Sequence, residues 1–433
     1  MLVWQTLTSG TADLDGKVRM DSKQKALLAD ENEMLFERLC AARPRLIDVA
    51  TAGEAIPGYF PELVLHAGPP IAWTEMTPAM QAAIDGALVF EGQAPDLAAA
   101  HDIAAGGGLR FAPAHDHRAT GAMAGIVTAS MPVFVVEDEI TGEKAFCTVN
   151  EGLGKALRFG ANGPEVLERL AWIRGTFAPL LKQALAIQGA IDLRAMIEEA
   201  LRRGDECHNR NKAATTLFFR EIAPAMVATQ APHAEIVGAL RFIAGNDHFF
   251  LSLSMAHAKA VTLGLERDRV GSLVTTMAGN GREVGIRVSG TGPRWFTAPA
   301  QIADVQLFPG RGLAEATPTM GDSYVTEAIG LGGFALAAAP AIAEFIGGTV
   351  SELTAKSERM REIVQGEHSS FRIPALGFKG VPSGIDVRKI AATGIAPIVN
   401  TGVASTRPGV GQIGAGVQAF PLACFEAAAT ALR

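Results

Sequence analysis

Five long amphipathic segments follow one another between Pro164 and Leu265: Pro164 to Ile187, Ile191 to Arg202, Cys207 to Ala228, Ala234 to Ala244 and His248 to Leu263. Apolar residues recurring at helical spacing over so long a stretch predict a layer of packed helices, since each apolar stripe must be buried against a neighbour. The flanks read differently. Before the layer, a helical pattern from Trp4 to about Pro57, with Leu27, Leu28, Leu35, Leu39 and Leu46 along Asp21 to Ala50, gives way to the strand Leu63-Val64-Leu65. The breaker His66-Ala67-Gly68-Pro69-Pro70 follows, then alanine-rich helices to about Ala105, the stop Gly106-Gly107-Gly108, and a strand at Leu109-Arg110-Phe111. Ile126 to Val136 and Ala145 to Val149 are β-branched runs separated by the turn Thr141-Gly142-Glu143. After the layer come strand-like runs at Gly271 to Met277 and Val284 to Val288, then helices expected over Ser323 to Phe345 and Val350 to Ile363. Short strands and glycine loops around Ile395 to Val403 precede a closing helix from Pro421 to Leu432. The pattern predicts an α/β (mixed α+β) multidomain fold with a small helical domain in the middle. The expected domains are 1–160 (α/β), 161–265 (helical) and 266–433 (α/β), because 433 residues exceed what a single core ordinarily serves.

An apolar fraction of 48% against 19% charged residues implies extensive buried surface, and a homo-oligomer is expected. The longest uncharged apolar stretch, Ile329 to Ala343, is short for a bilayer span and is broken by Gly and Pro, so no membrane helix is expected. Met1 to Leu14 lacks a basic region and a cleavage pattern, which predicts a cytoplasmic protein without a leader. Cys40, Cys147, Cys207 and Cys424 stand far apart with no C-x-x-C pair, against both a disulfide framework and a zinc ribbon. A net charge of −7 without a basic run excludes nucleic acid as an expected partner. Any anionic ligand must be met by local cationic and N–H groups.

Several polar constellations can do that. His115 and His117, in Pro113-Ala114-His115-Asp116-His117-Arg118, follow a predicted strand; two residues apart, they suit a general base better than a metal chelate. A solvated polar loop is the plain alternative. Asn150-Glu151-Gly152-Leu153-Gly154-Lys155, continuing to Arg158, sets two glycines and a cationic face after a strand, fit for a carboxylate or phosphate, although the Walker A spacing is absent. Glu206, His208, Asn209, Arg210 and Asn211 crowd hydrogen-bonding capacity behind Gly204-Asp205, where a helix stop and an N-cap explain only those first two positions. A Glu206–His208 metal pair lacks the H-E-x-x-H context, and no metal or other cofactor is expected. Lys259, on the helix beginning near Asp247, is a lone cation among neutral residues and ordinarily would snorkel to water. Gly321 to Phe334 is read as a helix capped by Asp322, with three internal glycines costing about 3 kcal/mol against alanine. Glu327 would share their face. Gly409 to Gly416 spells G-x-G-x-x-G, with Gly411 and Gly414 as candidate ligand glycines, but the chain ends before a dinucleotide-binding unit could follow, leaving an anion loop or a tight turn.

Taken together, the LHAGPP run at Leu65 to Pro70, the histidine loop followed by Gly121 to Gly125, the NEGLGK run, GDE-x-HNRN at Gly204 to Asn211, the GDS and GGF runs at Gly321 to Phe334 and GQIGAG at Gly411 to Gly416 resemble the YlbE/YahG-like family. The likeness covers nearly the whole chain. It implies a multidomain α/β fold with a small helical domain, and a subunit working beside an FdrA-like protein in an oxamate-carbamoyltransferase-type assembly. That reaction joins carbamoyl phosphate and oxamate to give oxalurate and phosphate. Two positions depart from the family pattern: a cysteine is common where Ala114 stands, and an arginine near Gly279. On this reading His117, His115, His208, Glu206 and Glu327 are the catalytic candidates. Asn150, Glu151, Lys155, Arg158, Asn209, Arg210, Asn211, Gly411 and Gly414 are the candidates for holding a small anionic substrate. The alternatives are a non-catalytic scaffold for the FdrA-like partner and a metal-dependent amidohydrolase.

Overall fold

The computed structural model describes residues 22–302 and 305–432. Met1–Leu14, and the start of the first helical pattern at Trp4, lie outside the described residues. The first helix, Ser22–Ala41, buries Leu35 and Leu39 as its periodicity predicts. The pattern was expected to continue through Leu46, yet Pro44–Thr51 is a strand, with Leu46 opposite Val136 of the antiparallel strand Pro132–Asp138. Pro44 has no N–H to give a helix and turns Arg43 away from helical angles, while Leu46 to Val49 meets a β-branched partner run. The resulting sheet has the order Ala119–Thr120, Lys144–Thr148, Pro132–Asp138, Pro44–Thr51, Ile191–Asp192. Beside it Leu63–His66 pairs in parallel with Arg110–Pro113, and the helices Pro78–Phe90 and Leu97–Ala105 make the crossover such a pair requires.

The helical layer forms over the segments predicted for it. Pro164–Trp172 and Ala178–Gln188 are joined by a π turn at Ile173–Phe177, and Leu193–Arg202, Lys212–Val227 and His233–Ala244 pack beyond them. Phe177 meets Phe242 at 5.0 Å, and Phe249 contacts Phe134 of the sheet at 5.8 Å and Phe218 at 5.3 Å. This aromatic cluster fixes the turn that carries His248. The last helix, Leu251–Glu266, is buried at every position from Leu251 to Leu265 and lies between Pro132–Asp138 and Lys144–Thr148 on one side and Val274–Asn280 on the other. Lys259 therefore does not reach water: its side chain is fully buried. One hydrophobic cluster includes Leu35, Phe134, Leu193, Phe218, Leu253, Val325 and Val381, so all three sequence segments contribute to a shared core.

Beyond that helix an antiparallel sheet runs Phe296–Pro299, Glu283–Val288, Val274–Asn280, Met320–Gly321. Gln306–Leu307, Gln412–Ala419 and Ile398–Ala404 form a third sheet, and Val364–Ile373 with Lys379–Ile385 a hairpin. The long helix expected over Ser323 to Phe345 does not form. Val325–Ala328 makes one turn, and the chain then reverses through Gly330 and Gly332 at φ 92° and 58° into a 3-10 stretch, Gly332–Ala338. These are left-handed angles that favour glycine. A Cβ at Gly330 would strike Ser383 and Pro382, and one at Gly332 would strike the Glu327 carboxylate. Asp322 caps no helix either; its two oxygens accept N–H bonds from Gly68 and Gly121 at 2.8 and 3.0 Å, tying together the loops at 66–70 and 121–125. No helix among the described residues is long and apolar enough to cross a membrane.

Candidate functional site

At the end of Leu193–Arg202, Gly204 (φ 97°) turns the chain, and the Asp205 carboxylate reaches forward to accept the Ala214 N–H at 2.8 Å, capping Lys212–Val227 from nine residues upstream. Between them the chain makes a closed loop. The Glu206 carboxylate accepts the N–H groups of His208 (3.1 Å) and Arg210 (2.5 Å), Cys207 takes a left-handed φ of 60°, and Asn211 donates its amide to the His208 carbonyl. Glu206 is thus turned into its own loop, and burial pushes its carboxyl up to about 7. The loop aims His208 inward, where Nδ1 lies 2.9 and 3.0 Å from the two Glu327 oxygens. Glu327 is fixed in turn by the N–H groups of Gly333 (3.1 Å) and Asn400 (2.9 Å), and the Asn209 amide donates to Asn400 Oδ1 at 2.6 Å. Burial alone would pull the His208 imidazole down; the adjoining Glu327 charge, with Glu206 behind it, leaves it above its ordinary value.

The second polar loop is Asn150–Arg158, whose Leu153 shares a cleft with Asn209, Arg210, Asn211 and His248. Asn150 accepts the Gly152 N–H through Oδ1 (2.9 Å), and its carbonyl accepts from the Asn246 amide (2.9 Å), whose oxygen accepts the His248 N–H (3.1 Å). The Glu151 carboxylate is used within the loop, accepting from Leu157 (2.8 Å) and Arg158 (3.3 Å). Arg158 donates Nη2 to the Gly152 carbonyl at 2.7 Å and lies over the Phe159 ring. Burial pulls its guanidinium down to about 10, still charged at neutral pH. His248 is held neutral, pushed down to about 3 by burial and then by the charges of Arg158 and His208, so both loops act on one imidazole.

Asn150 Nδ2, Arg158 Nε, His248 Nδ1 and Asn400 Nδ2 are buried without hydrogen-bond partners, as is Asn211 Oδ1. A buried unpaired polar group costs about 1–3 kcal/mol, so several together are characteristic of a surface shaped for a polar ligand. Asn209, Arg210, Asn211 and His248 line a cleft of about 400 Å³, and Asn150, Arg158 and Ser252 a small cavity of about 30 Å³. Arg210 binds the Gly204 carbonyl through Nε at 2.9 Å and borders the cleft.

The remaining candidates make none of these contacts. His117 is half-buried beside Asp116 and Arg110, and burial lowers its pKa. Lys155 is exposed and paired with Glu165 at 3.2 Å. His115 is buried 3.5 Å from Asp322. Gly411 turns at φ 90° against the Gly154 carbonyl, and a Cβ at Gly414 would stand 2.7 Å from the Gln306 carbonyl; both glycines are accounted for by chain-to-chain approach. The strand Gln412–Ala419, not a helix, follows the glycine turn. Sequence reasoning missed Asn400, Asn246 and His248 as site residues. Asn400 is an amide within the β-branched run Ile398 to Val403, and that placement was the available signal. Of the two departures, Ala114 is buried in a small apolar cluster, and a Cβ at Gly279 would stand 2.8 Å from the Thr319 carbonyl, while its backbone packs against Gly68.

The family model described as oxamate carbamoyltransferase subunit AllG matches residues 109–323. The chain is 43% identical over 408 residues to the oxamate carbamoyltransferase subunit AllG of Escherichia coli (strain K12), covering 94% of this chain and 97% of that one. It is also 43% identical over 408 residues to the uncharacterized protein YahG of the same organism, covering 94% and 86%. The crystal structure of a conserved protein of unknown function from Enterococcus faecalis V583 superposes with a TM-score of 0.93 at 42% identity, covering 94% of this chain and 98% of that one. With a shared fold and sequence likeness along nearly its whole length, the chain belongs to the YahG-like, AllG-type family.

Proposed function

We propose that this chain is a subunit of an oxamate-carbamoyltransferase-type assembly, acting in the cytoplasm beside an FdrA-like partner, and that it carries the transfer site. The observation that supports this most is the buried His208–Glu327 pair together with unpartnered buried donors on Asn400, which bonds Glu327, and on Asn150 and Arg158, whose charge acts with that of His208 on His248. In this reading Arg158 and the two amides hold the oxamate carboxylate and the carbonyl oxygen where negative charge grows. With Nδ1 fixed by Glu327, His208 Nε2 takes the proton from the attacking amide nitrogen. As the new N–C bond forms, the carbamoyl C–O bond to phosphate breaks, and the proton passes to the departing phosphate. Oxalurate and hydrogenphosphate result.

The test is oxamate-dependent phosphate release from carbamoyl phosphate by the purified complex with the FdrA-like subunit. His208→Gln and Arg158→Met should each lower turnover about 100-fold or more, the usual scale for losing a general base or an oxyanion donor. His117→Ala should stay within about twofold, because the half-buried His117 touches none of the groups assigned to transfer. Unchanged turnover in both His208→Gln and Arg158→Met overturns the assignment.

A further inference from the structure

A second polar cluster lies on the other side of Asp322. Lys259 is fully buried, its Nζ makes no hydrogen bond, and the Glu266 carboxylate stands 3.9 Å away. His115 is buried with neither ring nitrogen hydrogen-bonded. Arg287, on Glu283–Val288, reaches Asp116 Oδ1 at 3.3 Å and Glu266 Oε2 at 3.4 Å through its terminal nitrogens, while its Nε is buried and unbonded. Trp295 donates its indole N–H to Asp116 at 3.3 Å and meets the His115 ring edge-on at 6.1 Å. The groups share one electrostatic environment: Lys259 and Arg287 both act on His115, and Glu266, Arg287, Asp116 and Asp322 all act on Lys259. Asp116, with 36% of its side chain exposed, marks where the cluster meets solvent.

The unmet hydrogen-bonding capacity has a definite composition. Lys259 Nζ, Arg287 Nε and one nitrogen of a neutral His115 are donors; Glu266 Oε1 is an acceptor without a partner. Neutral apolar ligands would leave all of these unmet, and a simple carboxylate would leave Glu266 unmet. We propose that Lys259, Arg287, His115 and Glu266 form a second binding site for a small planar carboxylate carrying a hydrogen-bond donor group of its own, the chemistry shared by bicarbonate and carbamate. Its two oxygens accept from Lys259, Arg287 and His115, and its O–H or N–H donates to Glu266. This site uses none of the groups assigned to carbamoyl transfer and stands independently of that reading.

The test is equilibrium binding of ¹³C-bicarbonate to the purified full chain at neutral pH, read by NMR line broadening. Sodium bicarbonate, ammonium bicarbonate and sodium acetate form separate arms. Saturable binding is expected, with acetate weaker by about tenfold or more, since it cannot meet Glu266. Tighter apparent binding in the ammonium arm identifies carbamate as the better ligand; equal binding identifies bicarbonate. Lys259→Met and Arg287→Gln, each verified as folded by circular dichroism, should weaken binding about tenfold or more, whereas His208→Gln should leave it unchanged. No saturable binding by the wild-type chain, acetate binding as tightly as bicarbonate, or wild-type affinity in both cluster variants would overturn the proposal and assign the unmet groups to water alone.

Discussion

Glu327 determines what His208 can do. The two side chains come from positions 119 residues apart, and the carboxylate both orients the ring through Nδ1 and raises its affinity for a proton. A base must be neutral to accept a proton, so activity should fall as pH drops through a His208 value lying above 6.5. Replacing Glu327 by Gln keeps the shape but removes the charge, leaving burial as the dominant influence on the imidazole. The acid limb of kcat/KM in Glu327→Gln should therefore move to lower pH, with a lower plateau because the ring is less well held. A pH–rate profile of the assembled complex checks this; a limb that stays in place would mean that some other group titrates.

The loop that delivers Glu327 is an element whose conformation depends on glycine. Val325–Ala328 is a single helical turn, and Gly330 at φ 92° packs where a methyl group would strike Ser383 and the Pro382 backbone. Gly330→Ala combines left-handed strain with that collision and should cost about 2–4 kcal/mol, read as a lowered denaturant midpoint with an unchanged m-value. Gly332→Ala would press on the Glu327 carboxylate itself, so its loss should appear in turnover as well as in stability. These glycines also show where sequence reading stops. The helical layer was legible because its apolar period is local, and the loop Gly204–Asn211 because its density of Glu, His, Asn and Arg exceeds what a cap needs. The glycines of 330–333 were visible but misassigned, since nothing local distinguishes a helix with packed glycines from a turn. Pro44 could have marked the strand that Leu46 joins. That His208 rather than His117 meets a buried carboxylate was not legible at all: it depends on contacts to Glu327 and Asn400 made across 119 and 191 residues.

Over the whole molecule, the buried titratable groups set opposing pH dependences. His66 is pushed down to about 4 and His248, His257 and His368 to about 3, in each case first by burial, and burial likewise drives His115 well down. Below pH 6.5 the unfolded chain takes up protons that these five imidazoles refuse in the fold, so acid favours unfolding. Burial has the reverse consequence for carboxyls: Asp322 is raised to about 8, Glu206 to about 7 and Asp205 to about 6. They keep protons that the unfolded chain has already released above pH 4, so their contribution declines as pH rises through those values. His208, raised by Glu327, likewise contributes stability that is lost as pH rises through its folded value. Each unmatched proton corresponds to about 1.4 kcal/mol per pH unit. The imidazoles outnumber the carboxyls on the acid side; once the unfolded imidazoles are neutral the carboxyls dominate, joined by His208 and opposed near pH 8 by Lys259, which burial lowers to about 8. Thermal midpoints of the full chain should therefore rise steeply from pH 5, reach a maximum between about pH 6 and 7, and fall toward pH 8. A midpoint that climbs without a maximum from pH 5 to 8 would show that Asp322 and Glu206 are ionised in the folded protein, and that the loops they hold are bound by charged carboxylates instead.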